Sequence, residues 1–258
     1  MLRNKTQQRI TVKIYQITDT HLAEASNELD ANLIRLLDIV NQDKDEKVLL
    51  LTGDLANAAV PAAYQRIRTY LEACEFITHC YALTGNHDDL TIMKVCFKGS
   101  KIKILQSATV LGIPFHFLDT SEKPLGSSLE LGAGRVTSKE IAALKKAIRK
   151  TPRLIVSHHP ILDVSEKWFK QIGIENQAEV VRCFKNKCNI ISGHAHHYFD
   201  IEEGNIRQLV GISSSYGFEH QSDMPQRNNS IGMTVYHAGW LNGDIDVRLL
   251  EKHFLIGQ

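Results

Sequence analysis

Five short segments of the chain contain side chains that can bind metal ions. In chain order they are Asp19-Thr20-His21, Gly53-Asp54, Gly85-Asn86-His87-Asp88, Ser157-His158-His159-Pro160 and Gly193-His194-Ala195-His196. Carboxylate, carboxamide and imidazole groups form a mixed oxygen–nitrogen ligand set that suits manganese or iron, with zinc as an alternative. In the first and last segments one residue separates the two candidate ligands, and alternate residues of an extended chain point the same way. Each of these segments could therefore hold one ion with two ligands.

Each segment also has a simpler structural explanation when it is taken alone. An Asp-x-His sequence is common in solvated turns, and Asp54 after Gly53 could cap a helix. The histidines at 194 and 196 could lie in a surface loop. Two adjacent histidines, however, are an unusual end for a purely structural strand. What favours a common site is that all five segments occupy the same kind of position in the predicted secondary structure.

Every one of these segments follows a short apolar stretch that predicts a β-strand. The predicted strands are 11–18, 48–52, 80–84, 154–156 and 189–191, and helical periodicity or capping signals lie between them at 29–40, 61–74, 137–148 and 178–184. A further β-like stretch covers 109–118, and strands at 206–212, 231–237 and 245–250 make the part after residue 200 strand-rich. In open α/β sheets, ligands bind beyond the carboxyl ends of the strands. Five strand ends can therefore converge on one site.

Composition is that of an ordinary globular protein. The 258 residues are 43% hydrophobic and 23% charged, and neither a linker nor a repeat interrupts them, which predicts a single α/β domain over 1–258. The formal net charge of +1 gives no general attraction to nucleic acid or to anionic membranes.

Cysteine usage and the N-terminus predict a cytoplasmic protein. The five cysteines are an odd number and contain no C-x-x-C pair, which argues against a disulfide framework or a zinc ribbon. Reduced thiols are typical of the cytosol. The first ten residues are polar, unlike a signal peptide, and no apolar run approaches the ~20 residues of a membrane span.

Between residues 19 and 196 the chain resembles the calcineurin-like metallophosphoesterases. The resemblance lies in five motifs in the same order: D-x-H, G-D, G-N-H-D, H and G-H-x-H. The resemblance implies an α/β fold in four layers, an αββα sandwich of two mixed β-sheets flanked by helices. The chain looks most like the class III cyclic-nucleotide phosphodiesterases, the bacterial CpdA/Icc-like group. This narrower likeness is carried by residues 16–22, 52–56, 118–120 and 157–160.

The resemblance also implies a role for each candidate residue. Asp19, His21 and His196 would bind a first metal ion, Asn86, His158 and His194 a second, and Asp54 would bridge both. His87 would be the acid that faces the leaving group. Two Mn or Fe ions, with Zn as an alternative, would neutralise the phosphodiester and hold a bridging hydroxide for in-line attack on phosphorus.

Four features near these residues leave alternatives open. Asn57 stands where the family often has an acidic residue that orients the catalytic imidazole, which leaves the protonation of His87 open. His159 is a second candidate beside His158, although His158 aligns with the metal histidine of the family. Asp88 and Asp89 are candidates to cap the helix that begins near residue 90. The irregular segment 213–229 is a candidate wall of the substrate site.

The best-matching substrate is 3′,5′-cyclic AMP, hydrolysed to 5′-AMP. A 2′,3′-cyclic nucleotide or a glycerophosphodiester is an alternative, and a nuclease is disfavoured because no basic run is present to bind a nucleic-acid backbone. A catalytically silent binding module is a further alternative, and the complete ligand set argues against it. The C-terminal strands are a candidate homodimer surface.

Overall fold

Strands and helices alternate along the first two thirds of the chain in the computed structural model, which describes residues 11–126, 132–165 and 167–255. The strands are β1 (Thr11–Ile17), β2 (Lys47–Thr52), β3 (His79–Leu83), β4 (Ile102–Lys103), β5 (Ser107–Val110), β6 (Ile113–Leu118), β7 (Leu154–Ser157), β8 (Cys188–Ser192), β9 (Phe199–Glu203), β10 (Ile206–Val210), β11 (Gly217–Phe218), β12 (Arg227–Asn228), β13 (Gly232–Leu241) and β14 (Asp244–Phe254). The helices are α1 (Glu28–Gln42), α2 (Pro61–Glu72), α3 (Leu90–Cys96), α4 (Ser138–Ile148) and α5 (Gln177–Val181), and a 3₁₀ helix spans Lys167–Ile172.

Two six-stranded mixed sheets carry the fold. The first has the order β14-β13-β1-β2-β3-β4 and the second the order β5-β6-β7-β8-β10-β9. Strands β1, β2 and β3 are parallel, as are β6, β7, β8 and β10. The strand-rich part after residue 200 extends both sheets, because β9 and β10 join the second sheet and β13 and β14 join the first.

Alternating side chains of the central strands explain the layering. Val48 and Leu50 of β2 pack between the two sheets, whereas Leu49 and Leu51 face the layer formed by α1, α2 and α3. A third cluster lies between the second sheet and helices α4 and α5. Because both faces of the central strands are covered, β2, β6 and β7 are buried at every residue, and each fully buried aliphatic side chain contributes about 1.5–3 kcal/mol. The predicted αββα sandwich is confirmed.

Local details differ from the sequence predictions at three places. The stretch 109–118 is a hairpin of β5 and β6, because Leu111 and Gly112 adopt positive φ angles of 49° and 82° and turn the chain back. Thr137 and Glu140 have the spacing that predicts a capping box; Thr137 does cap α4, but the Glu140 carboxylate accepts a hydrogen bond from Gln106 Nε2 instead of completing the box. Helix α5 is one short turn that ends at Val181. Among the described residues, no helix combines the length and the apolar character needed to cross a membrane.

Candidate metal centre

The carboxyl ends of five parallel strands meet where the two sheets face each other. Strands β1, β2 and β3 of the first sheet lead into Asp19 and His21, Asp54, and Asn86, while β7 and β8 of the second sheet lead into His158, and into His194 and His196. The structure brings these seven predicted residues together in overlapping groups of candidate ligand atoms, each within 4.8 Å, with Asn86 beside His158. The site therefore straddles both sheets.

One group consists of Asp19, His21 and His196, all of them buried. His196 Nε2 lies 3.2 Å from His21 Nε2 and 3.2 Å from Asp19 Oδ1. The other carboxylate oxygen of Asp19 accepts hydrogen bonds from Thr18 Oγ1 at 2.7 Å and from the His194 amide at 3.0 Å. Oδ1 is buried and has no hydrogen-bond partner among the described residues, so it is left to face the other two side chains.

A second group surrounds His158. Its Nε2 atom lies 3.2 Å from Asn86 Oδ1 and 3.4 Å from Asp54 Oδ2, and the His194 ring centroid is 5.0 Å from its own. Asp54 Oδ2 also lies 3.7 Å from His21 Nε2 in the first group. Asp54 thus lies against both groups and is a candidate to bridge them.

Main-chain carbonyl oxygens orient three of the four histidines. Thr52 O accepts a hydrogen bond from His158 Nδ1 at 2.9 Å, and Tyr216 O accepts one from His196 Nδ1 at 2.8 Å. His194 is reversed, because its Nε2 atom donates to Ile172 O at 2.9 Å. A neutral imidazole that donates from one nitrogen keeps a lone pair on the other. The site-facing atoms are therefore Nε2 of His158 and His196 and Nδ1 of His194, an arrangement that metal-binding histidines commonly show.

Lone pairs that converge in this way repel one another unless a cation lies among them. Burial lowers the pKa of His21 to about 4 and holds that of His194 well below its usual value, so both rings are neutral. Burial also opposes a charge on His158, but the carboxylates of Asp54 and Asp19 outweigh it and raise the pKa to about 9. The pKa of Asp54 is held well below its usual value despite burial, mainly by His158. A metal ion bound here would replace the proton on His158, because an imidazole must be neutral to bind a metal, and the buried carboxylates with the neutral rings of His21 and His194 fit such an ion.

Sharp turns at the strand ends aim these side chains. Asp19, His21, Asp54, His194 and His196 all have positive φ angles between 46° and 68°. Such a conformation costs of order 1–3 kcal/mol per residue and persists only where the surroundings enforce it. Main-chain hydrogen bonds do so here: the Asp19 amide donates to Gly53 O at 3.0 Å and the His21 amide to Asp54 O at 2.9 Å.

Gly85 is required by its close approach to Asp54. A Cβ atom at residue 85 would lie 2.1 Å from Asp54 Oδ1 and 2.4 Å from the Asp54 amide nitrogen. We expect Gly85→Ala to displace the shared carboxylate, to reduce metal content and to lower kcat/KM about a hundredfold, the effect of misplacing a catalytic group by roughly 1 Å. Metal analysis and steady-state kinetics measure both effects.

The matched control for that variant is Gly173→Ala. The nearest atom to its added Cβ would be Lys170 O at 3.7 Å, an ordinary contact, so metal content and kcat/KM should stay close to those of the unmodified protein. A Gly85→Ala protein with full metal content and full rate would show that the turn at residue 85 does not set the position of Asp54.

Asp88 holds two of the site loops together, a role that the sequence does not reveal. Its carboxylate accepts hydrogen bonds from the amides of Leu55 and Ala56 at 3.1 Å, from the Gly85 amide at 3.0 Å and from Tyr64 Oη at 2.9 Å. Burial and the nearby charge of Asp54 raise its pKa to about 6. The helix cap is Asp89 alone, which accepts from the amides of Thr91 and Ile92.

His159 lies against the second group but has both ring nitrogens engaged. Its Nδ1 atom is 2.8 Å from Thr120 Oγ1 and its Nε2 atom 3.0 Å from Gly132 O. Burial, with the neighbouring His158, lowers its pKa to about 3. No lone pair of this ring is directed at Asp54, which leaves His158 as the histidine of this strand end that faces the site.

His87 is exposed at the mouth of the site. Its amide donates to Asp54 Oδ1 at 2.9 Å, and its Nδ1 atom contacts the main-chain carbonyl of Asn57 at 2.8 Å. The imidazole is therefore oriented by the backbone at Asn57 and not by the side chain that departs from the family pattern. A ring nitrogen of His87 lies within 4.8 Å of candidate ligand atoms of His21 and Asp54.

Comparison with known proteins shows which family the chain belongs to. Residues 12–198 match the calcineurin-like phosphoesterase family, and the chain belongs to that family. It is 27% identical over 240 residues, 83% of each chain, to a 3′,5′-cyclic-nucleotide phosphodiesterase of Nostoc sp.. It is also 26% identical over 191 residues, 70% of each chain, to a probable cyclic nucleotide phosphodiesterase of Colwellia psychrerythraea.

A solved structure shows the same fold at low sequence similarity. A 5′-nucleotidase-like protein of Staphylococcus aureus superposes with a TM-score of 0.58 at 13% identity, covering 96% of this chain and 55% of that one. The chain thus spans about half the length of that protein. Family membership makes the chain a metal-dependent phosphoric ester hydrolase that uses divalent metal ions, and the aspartate–histidine groups fit such ions.

Proposed function

We propose that the protein hydrolyses 3′,5′-cyclic AMP to 5′-AMP at a centre of two metal ions. The observation that carries the proposal is the convergence of buried lone pairs around one shared carboxylate, with the histidine tautomers fixed by Thr52, Tyr216 and Ile172. The relatives named as cyclic-nucleotide phosphodiesterases support a small phosphodiester as the substrate.

In this proposal the two ions have separate sets of ligands and share one ligand, Asp54. One ion would be held by Asp19, His21 and His196, the other by Asn86, His158 and His194, with Asp54 between them. The oxygen–nitrogen donor set favours Mn or Fe, with Zn as an alternative. When bound, two such ions neutralise the anionic phosphoryl oxygens and lower the pKa of water to supply the nucleophile.

His87 performs the proton transfer in this proposal. A ribose oxygen that leaves phosphorus carries negative charge and needs a proton to depart easily. The carbonyl of Asn57 keeps a hydrogen on Nδ1 of His87, so the proton that reaches the leaving oxygen is the one on Nε2. An imidazole can carry a proton on either ring nitrogen, which suits it to this transfer.

A panel of four substrates tests the proposal. The purified protein, loaded with Mn, should turn over 3′,5′-cyclic AMP faster than 2′,3′-cyclic AMP, bis(4-nitrophenyl) phosphate or 4-nitrophenyl phosphate. Release of 5′-AMP, followed by chromatography, identifies which ester bond breaks. Negligible turnover of 3′,5′-cyclic AMP beside the other three would reject it as the substrate, while loss of all turnover on chelation with full recovery on Mn addition supports the metal requirement.

A further inference from the structure

Arg227 lies over the ring of Tyr216 at the edge of the candidate metal centre. It belongs to the hairpin of β11 and β12, in which Phe218 pairs with Arg227 and Gly217 with Asn228. The guanidinium carbon is 3.8 Å from the centroid of the Tyr216 ring. Across the described parts of the chain, no carboxylate forms an ion pair with this guanidinium, and the side chain is exposed. Glu219 of the same hairpin accepts a hydrogen bond from Asn228 Nδ2.

Tyr216 fixes this arginine relative to the metal centre. The Tyr216 carbonyl accepts the hydrogen bond from His196, and its ring centroid lies 4.5 Å from that of His196. The same ring stacks on His21 at 5.5 Å with an interplanar angle of 23°. The planar guanidinium of Arg227 is thus separated from the proposed ligands His21 and His196 only by the ring of Tyr216.

We propose that Arg227 binds the nucleobase of the substrate, an inference that rests on the proposed function. A phosphodiester held at His21 and His196 would lie beside the Tyr216 ring, which contacts both histidines, so its organic group can extend toward Arg227. The exposed side of the guanidinium offers a flat cationic surface for stacking, and its N–H groups match the ring-nitrogen and carbonyl acceptors of a base. The site therefore selects nucleotides over phosphodiesters of glycerol or other small alcohols.

Arg227 could also increase substrate affinity only through its positive charge, which attracts any anionic ester. Attraction by charge raises the affinity for every monoanionic ester equally and survives replacement by lysine, which keeps the charge on a compact ammonium group. Recognition of a base depends on the planar guanidinium and discriminates between esters with and without a base. The two contributions are therefore separable.

The test compares two esters that have the same charge and the same leaving group. Thymidine 5′-(4-nitrophenyl phosphate) carries a nucleoside, and methyl 4-nitrophenyl phosphate carries none. In Arg227→Gln, KM for the nucleoside ester should rise about tenfold, the usual effect of losing one base-stacking contact, with kcat little changed. KM for the methyl ester should not change, and Arg227→Lys should resemble Arg227→Gln.

Calorimetric binding to the metal-loaded protein gives a readout independent of turnover. Affinity for 5′-AMP should fall about tenfold in Arg227→Gln, again the size of one stacking contact, while affinity for inorganic phosphate stays the same. The control is Arg182→Gln, at the exposed arginine that follows α5, which should behave as the unmodified protein in both assays.

Failure of this inference differs from failure of the proposed function. If the unmodified protein hydrolyses neither ester, the phosphodiesterase assignment is wrong and the role of Arg227 falls with it. If the protein hydrolyses both esters but Arg227→Gln changes neither KM, or changes both by the same factor, only the role of Arg227 is wrong. Wild-type KM values in Arg227→Lys would likewise overturn it in favour of simple charge.

Discussion

Asp54→Ala is expected to lose both metal ions and all measurable hydrolysis. The Oδ2 atom of Asp54 lies near both groups, 3.7 Å from His21 Nε2 and 3.4 Å from His158 Nε2. Under the proposed assignment, its removal takes away the anion that would offset the charge of two adjacent cations. Oδ1 also accepts the hydrogen bond from the His87 amide, so the turn that carries Asn86 loosens as well.

Metal content after dialysis, together with turnover of 3′,5′-cyclic AMP, measures this effect. The loss of metal affinity should exceed the roughly 10–100-fold loss that follows removal of a hydrogen-bond partner of a ligand. Asp246→Ala is the matched control, because Asp246 pairs with Arg248 at the opposite end of the first sheet. An Asp54→Ala protein that keeps two ions and its rate would remove Asp54 from the role of bridge.

His87→Ala is expected to keep both ions and to lose about 10²–10⁴-fold in kcat, the usual contribution of a positioned acid or base. His87 is exposed and makes its ring contact with the Asn57 carbonyl, so its removal leaves the buried ligands in place. The effect should depend on the leaving group. Cyclic AMP releases a basic ribose oxygen that needs a proton, whereas 4-nitrophenolate leaves without one.

The decisive measurement is therefore the ratio of the two rates in the same variant. Turnover of 3′,5′-cyclic AMP should fall far more than turnover of bis(4-nitrophenyl) phosphate, and metal analysis should be unchanged. His79→Ala provides the control, because His79 begins β3 at the end of the strand remote from His87. An equal loss on both substrates, or loss of metal, would show that His87 acts on the ions and not on the leaving group.

The sequence was sufficient to predict the candidate ligands because their signal is local. Each of them follows a short apolar strand, and the carboxyl-edge rule for α/β sheets then places them together. The four-layer fold came from family resemblance and is confirmed by the two sheets and their helical layers. The metal-binding roles of the individual residues and the single domain over the whole chain stay predictions.

Other parts of the site have no sequence signal. The acceptors at Thr52, Tyr216 and Ile172 are main-chain carbonyls, which every residue carries. Asp88 and Asp89 are adjacent and chemically identical, yet one joins two loops and the other caps a helix, because only the tertiary fold decides which amides each carboxylate meets. The pairing of β1 with β13 across more than 200 residues was similarly invisible in local patterns.

The division of the ligands between the two sheets has a consequence for the folding of the chain. Asp19, His21, Asp54 and Asn86 come from one sheet, and His158, His194 and His196 come from the other. Under the proposed assignment each cation would cross-link the two sheets, and the ligands of one sheet alone would not be enough to hold it. The melting temperature would then increase with the concentration of the metal ion, since a ligand that binds only the native state stabilises that state.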